Sequence, residues 1–526
     1  MFFLTKNNII MRTQIKILFI TLFFSGLINA QVTQISQGIS LGPYELISTG
    51  DMLYFNAYNG IGYQLYNYDG TNVTHIEIPG IIINPNPFEL TPYGNDLYFV
   101  VNDDSWNEQL WKYTYTTNTV EHIIFSTYAP FGVINTSPEE LYVLGANLFF
   151  AGDDNNGDIQ LWKHDGVIAN VISINNGQTG WTNPNLDPKD LTAVGSTLFF
   201  SANPINGTRL CKYDGTVAEE IVGANSPEEL TEHGNELFFN AYDSNGGQKL
   251  YKYDGNTVLE IPIGTSTDPD PKEMVSIGND LFFNAKDDVG YKRLWKYDGN
   301  VVSQLTVGSF LSPDPRDLTA VGGNLYFTAY LGNSDRQLWI YDGNVVTQIS
   351  LGSNFSSPSP QDLISKGNEL WFVATSLSTS SWDMYIFKCN GLVCSQMTDA
   401  TTLGGTPREL VVMNNDIYYK DHGTGDGDLF KFTSGVSTVH EVIIDNINVF
   451  PNPFNNGFNF SFSTEQTQDV KFRVLNALGE VLWLSDLSDF KGEYTKQINL
   501  NENAKGMYFL EIETDDGVVS KKLILQ

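Results

Sequence analysis

Six histidines, a large surplus of carboxylates and three cysteines are the side chains with which this 526-residue sequence could do chemistry. General acid–base or nucleophilic catalysis needs such a group beside a partner that activates it, and metal binding needs several converging ligands. His75, His122, His164, His233, His422 and His440 are scattered through the chain, with no nucleophile or second ligand spaced to join them. His-Glu-x-x-His, a phosphate loop and a dinucleotide fingerprint are absent. Cys389 and Cys394 flank a four-residue connection between two strand-like runs, a spacing that fits either a disulfide or two buried thiols. Cys211 stands where related segments carry Trp, so it is expected to be a buried hydrophobe. No catalytic, cofactor-binding or metal-binding residue is assigned.

The carboxylates are more regular. An acidic-Leu pair begins at Glu45, Glu89, Glu140, Asp190, Glu229, Glu273, Asp317, Asp362 and Glu409, with spacings of 44, 51, 50, 39, 44, 44, 45 and 47 residues. A catalytic carboxylate is not needed nine times, so these are expected to accept backbone or turn hydrogen bonds. The other acidic groups sit in loops such as Asp153-Asp-Asn-Asn-Gly-Asp158, Asp243-Ser-Asn-Gly246 and Asp421-His-Gly-Thr-Gly-Asp-Gly-Asp428. Oxygen-rich, Gly-bent loops could hold Ca²⁺, but none has the full Asp-x-Asp-x-Asp-Gly spacing, and no cofactor is expected.

The elements that must position these groups are repeats. Each acidic-Leu pair is followed by Gly and Leu-aromatic-aromatic, then by a form of Leu-Trp-Lys-Tyr-Asp-Gly, as in Asp317-Leu-Thr-Ala-Val-Gly-Gly-Asn-Leu-Tyr-Phe327 with Gln337-Leu-Trp-Ile-Tyr-Asp-Gly343. Every copy reads as four short strands with Gly-Asn and Asp-Gly turns between them. Its two middle strands are apolar on both faces, which suits a sheet packed between two others. The expected fold is all-β, a large β-propeller of eight or nine four-stranded blades over residues 31–444. Val32-Thr-Gln-Ile-Ser36 repeats Val346-Thr-Gln-Ile-Ser350, a fourth strand, so the chain start could complete the last blade. Val436–Val442 competes for that place. Loops between second and third strands share one face with the blade connections, and length variation falls there, together with Trp106 and Trp181.

With 61 acidic and 29 basic residues the net charge is −32, which disfavours nucleic acid as a partner. Lys6, Arg12 and Lys16 precede or open the apolar run Ile17–Ile28, and Ala30 offers a small residue for cleavage, so residues 1–30 read as a secretory signal peptide. Twelve apolar residues are too few for a membrane span, which takes about twenty. No transmembrane segment is expected after cleavage.

Residues 445–526 lack the repeat. Alternating apolar runs separated by Gly and Asn turns predict a small Ig-like antiparallel β-sandwich of about seven strands. The words Pro451-Asn452-Pro453 after an aromatic, the Asn476-to-Gly479 turn, the Gly506 and Tyr508 strand and the terminal Lys521-Lys522 strand occur in that order. Together they resemble the type A C-terminal sorting domain of the type IX secretion system of Bacteroidetes. The resemblance implies Sec export, passage across the outer membrane through that machinery, removal of the domain, and release or attachment at the cell surface. More loosely, the repeat words resemble Leu-Trp-x-x-Asp-Gly propeller repeats of secreted bacterial proteins, which implies architecture and no activity. The function expected is a secreted or surface-displayed scaffold that binds a glycan or protein ligand. An extracellular polysaccharide lyase or hydrolase, with carboxylates in the central funnel, is the alternative.

Overall fold

A computed structural model describes residues 31–35, 42–81, 84–126, 136–154, 157–172, 185–204, 207–332, 336–351, 358–375, 384–398, 406–421, 427–433, 444–476, 481–501, 503–514 and 517–526. The described residues are strands and turns, without a helix. Contacts divide the chain into two units, one spanning Ala30–Ser434 and one containing Gly435–Gln526.

In the larger unit each repeat makes an antiparallel meander, exemplified by Tyr44–Thr49, Met52–Tyr58, Tyr63–Tyr68 and Val73–Ile76. Two repeats share one seven-stranded sheet, because Ala218–His233 serves as fourth strand of one and first strand of the next. The cause is legible in the spacing: Asp190 to Glu229 is the shortest interval, leaving no residues for a separate connection. First strands lie side by side from Tyr44–Thr49 through to Pro407–Met413, and the last packs against the first, so the row closes. Gln31–Gln34 takes the fourth place in the final sheet, pairing antiparallel with Asp428–Thr433. Val436–Val442 lies outside the described residues.

Cores form between sheets. Leu53, Phe55 and Tyr66 of the first meander pack with Met413, Tyr418 and Leu429 of the last. Phe282 and Leu294 pack with Leu325, Phe327 and Trp339 of the next meander. Full burial of each such side chain stabilises by about 1.5–3 kcal/mol. The repeat word now has a physical reading. Trp162, Trp295 and Trp339 donate Nε1–H to the carbonyls of Gly152, Ala285 and Ala329 on the second strand. Tyr68, Tyr213, Tyr253, Tyr297 and Tyr341 donate their hydroxyls to the turn carbonyls of Gly70, Gly215, Gly255, Gly299 and Gly343. The repeat Lys pairs with the acidic residue opening the second strand, as in Lys112–Asp96, Lys252–Glu236, Lys296–Asp280 and Lys388–Glu369.

The smaller unit has five strands among its described residues: Ile444–Phe450, Gly457–Asn476, Val481–Asn499, Gly506–Thr514 and Gly517–Leu525. The two longest are broken by register shifts between Thr464 and Val470, opposite Asp489 and Gly492, which both have positive φ. The five strands form one sheet, fewer than the seven read in the sequence. Rings from both halves meet in the core, with Phe460 5.2 Å and Phe462 5.4 Å from Phe472.

Candidate functional site

The nine acidic-Leu pairs share one conformation. All nine acidic residues have positive φ, between 52° and 58°. At each, the pairing of first and second strands slips, as between Lys272 and Val275, so the pair is a β-bulge. Holding a non-glycine residue in this region costs about 1–2 kcal/mol. An offset comes from the side chain. The backbone N–H of Asp190 donates to Glu140 Oε2 at 3.2 Å, that of Glu273 to Glu229 Oε2 at 3.0 Å, and that of Glu409 to Asp362 Oδ2 at 2.8 Å. Glu45 and Glu89 accept in the same way from the backbones of Leu90 and Leu141. These five carboxylates thus tie one innermost strand to the next, whereas Asp317 accepts from Thr328 Oγ1 and Glu409 pairs with Lys420 within their own repeats. Burial, with neighbouring carboxylates adding repulsion, holds Glu45, Glu89, Glu140 and Asp190 above their usual values. Four of the nine acidic residues, Glu140, Asp190, Glu229 and Glu273, line an open cavity of about 770 Å³ between inner strands.

The turn aspartates behave oppositely. Oδ1 of Asp69, Asp214, Asp254, Asp298 and Asp342 accepts the N–H groups two and three residues on. These bonds favour the charged form, bringing Asp214 down to about 2. Loops between second and third strands use the same chemistry. Asp243 Oδ1 accepts from Asn245 and Gly247 N–H, and Asp287 Oδ1 from Val289 and Tyr291 N–H. Of the loops that could hold Ca²⁺, Asp154 Oδ1 and Asp243 Oδ1 accept backbone N–H bonds, residues 155–156 and 422–426 lie outside the described residues, and no group of three or more potential ligands converges among the described residues.

The histidines are dispersed. Tyr98 Oη lies 3.2 Å from His164 Nδ1, His233 Nδ1 lies 2.7 Å from Ser276 Oγ, and His122 packs on Trp111. Burial lowers all three. His422 and His440 lie outside the described residues, as does Trp181. Cys211 is buried, which pushes its thiol up. Cys389 and Cys394 face each other across paired strands, Cα atoms 4.1 Å apart, and are disulfide-bonded. Gly38-Ile-Ser-Leu-Gly42 has the Gly-x-Ser-x-Gly spacing of a nucleophile turn. Ser40 lies outside the described residues.

In the smaller unit, separated sequence words meet at one end of the sheet. Asn476 pairs with Tyr508, Tyr508 with Leu523, and Gly506 with Leu525. Pro451 and Pro453 have no N–H to offer a ladder. Asn452 between them supplies a substitute peptide group. Its Nδ2–H donates to Lys522 O at 2.7 Å and its Oδ1 accepts from Ile524 N–H at 2.9 Å. Phe454 continues the contact, donating to Ile524 O and accepting from Gln526 N–H. Lys521 and Lys522 are exposed, and Tyr508 is buried with its hydroxyl on Ala504 O. Gly479 lies outside the described residues. The sequence pattern singled out both Asn452 and Lys522 but not their contact, since they are 70 residues apart.

Residues 448–526 match the secretion system C-terminal sorting domain family. This domain directs export through the type IX machinery and places the protein outside the cell, secreted or at the cell surface. No helix among the described residues is long and apolar enough to cross a membrane. No curated protein matches the chain. Similar solved structures include the β-propeller domain of the Trilobed protease from Pyrococcus furiosus, 12% identical, covering 68% of this chain and 98% of that one, TM-score 0.37. An acylaminoacyl peptidase from Pyrococcus horikoshii is 10% identical over 74% of this chain and 59% of its own, TM-score 0.37. The extracellular domain of a putative hybrid two-component system from B. thetaiotaomicron is 12% identical over 91% and 86%, TM-score 0.27.

Proposed function

We propose that the exported chain is a nine-bladed β-propeller that acts as a binding scaffold outside the cell, without catalysis of its own. The domains are a signal peptide at 1–30, the propeller at 31–444 and the sorting domain at 445–526, in which Pro451, Asn452, Pro453, Gly479, Gly506, Tyr508, Lys521 and Lys522 form the recognised pattern. One observation carries the reading: the repeated polar groups are committed to the scaffold. Inner carboxylates hold neighbouring strands, and loop aspartates hold their own loops. Variation is left to the loops beside the blade connections, where the backbone N–H of Asp270 and Lys286 joins connection to loop strands. Surfaces of that kind are where binding residues concentrate on rigid scaffolds. The ligand is a glycan or a protein, and no Ca²⁺ is required. A hydrolase with funnel carboxylates is the less favoured reading, since carboxylates such as Glu140, Glu229 and Asp362 already accept strand N–H bonds. Incubating the purified mature chain with a polysaccharide panel tests this. Retention without new reducing or unsaturated ends is expected, and turnover would overturn the scaffold reading.

A further inference from the structure

We propose that Trp106 is a carbohydrate-stacking platform on the loop face, an inference that rests on the scaffold reading and names its ligand. The unit contains its own controls. Four loops between second and third strands are built alike, starting at Asp103, Asp154, Asp243 and Asp287. In each, the residue three places after the Asp has positive φ. It is Gly157 at 87°, Gly246 at 85° and Gly290 at 86°, but Trp106 at 65°. Trp106, Gly246 and Gly290 make the same bond, N–H to the carbonyl of the starting Asp. The fold therefore accepts glycine there, and a bulky residue in this conformation carries strain the loop does not need.

The strained indole is also presented to solvent. Trp106 is 72% exposed, and its neighbours Asp104 and Ser105 are exposed polar residues. Its loop is heavily braced. The Asp103 carboxylate accepts the backbone N–H of Ser105 and Asn107 and the side-chain amides of Asn107 and Gln109. These bonds hold Asp103 below its usual value. A rigid aromatic loses little conformational entropy on binding. One indole face set among hydroxyl and carboxylate groups matches one pyranose ring. Its negative π face meets the sugar C–H edge, and the polar rim meets hydroxyls. A stable protein partner would want a far larger contiguous surface, about 800 Å² on each side. With a net charge of −32, a neutral sugar chain is favoured over an acidic one.

The test titrates the mature protein with neutral linear hexasaccharides built from glucose, mannose, galactose or xylose, read by calorimetry. At least one should bind. Trp106→Gly should weaken that binding about tenfold or more, while melting no lower than wild type; Trp106→Phe should keep part of the affinity. Equal binding by Trp106→Gly overturns this inference and leaves the scaffold reading intact, and failure of every hexasaccharide to bind does the same. Cleavage of a hexasaccharide would overturn the scaffold reading on which the inference rests.

Discussion

The repeat unit and the C-terminal unit solve one problem, irregular backbone at a sheet edge, with different chemistry. In the repeat unit a bulged innermost strand is held by a carboxylate, and the device recurs around the row. In the C-terminal unit a proline-flanked amide, present once, holds the terminal strand. Both polar devices serve the architecture, whereas the side chain that breaks the repeat without bracing it, Trp106, is left exposed to solvent.

The largest expected contrast is between two tryptophans of the repeat unit. Trp162 is fully buried with its indole N–H on Gly152 O, so Trp162→Ala should cost about 3–5 kcal/mol in denaturant unfolding. A comparable cost for Trp106→Ala would break the distinction between the two. Next, Asn452→Ala removes two hydrogen bonds to the terminal strand and should cost the C-terminal unit about 1–2 kcal/mol. Amide exchange at Ile524 should accelerate without change at the repeat strands; unchanged exchange would show that the clamp is idle.

The smallest effects separate the two carboxylate sets by pH. Burial raises Glu273 above 4.5, so its favourable contribution is complete below its unfolded value and is lost as pH rises through the folded one. Glu273→Gln keeps an acceptor and should remove that loss, stabilising slightly at neutral pH, whereas Glu273→Ala should destabilise. Backbone bonds lower Asp298 below 3.8, so its contribution is present above the unfolded value and disappears as pH falls through the folded one. Melting curves of Asp298→Ala should therefore converge on wild type in acid. Parallel pH profiles for the Glu273 and Asp298 variants would erase the distinction.

Much of the fold was legible because periodicity reports burial. Leu-Phe-Phe and Leu-Trp-Lys-Tyr place apolar groups on both faces, and Val32–Ile35 carries the same word as a fourth strand, which matches its pairing with the final sheet. The acidic-Leu pair was recognised as structural, but not as a bulge. Positive φ has no sequence mark when Glu or Asp occupies the position, and the N–H donors come from 44 to 52 residues away. The Asn452 clamp was hidden for the same reason, since a side-chain amide replacing a peptide group leaves no local pattern. In the C-terminal unit the alternating pattern overcounted, because two long strands that bend at register shifts read as more than two short ones.

The central claim is that the C-terminal unit delivers the repeat unit to the outside of the cell. Deleting residues 448–526 and fractionating cells tests it most directly. The truncated chain should be folded and trapped in the periplasm, while the full chain reaches the surface or medium. Truncated protein reaching the surface or medium at the full-length level would contradict the claim.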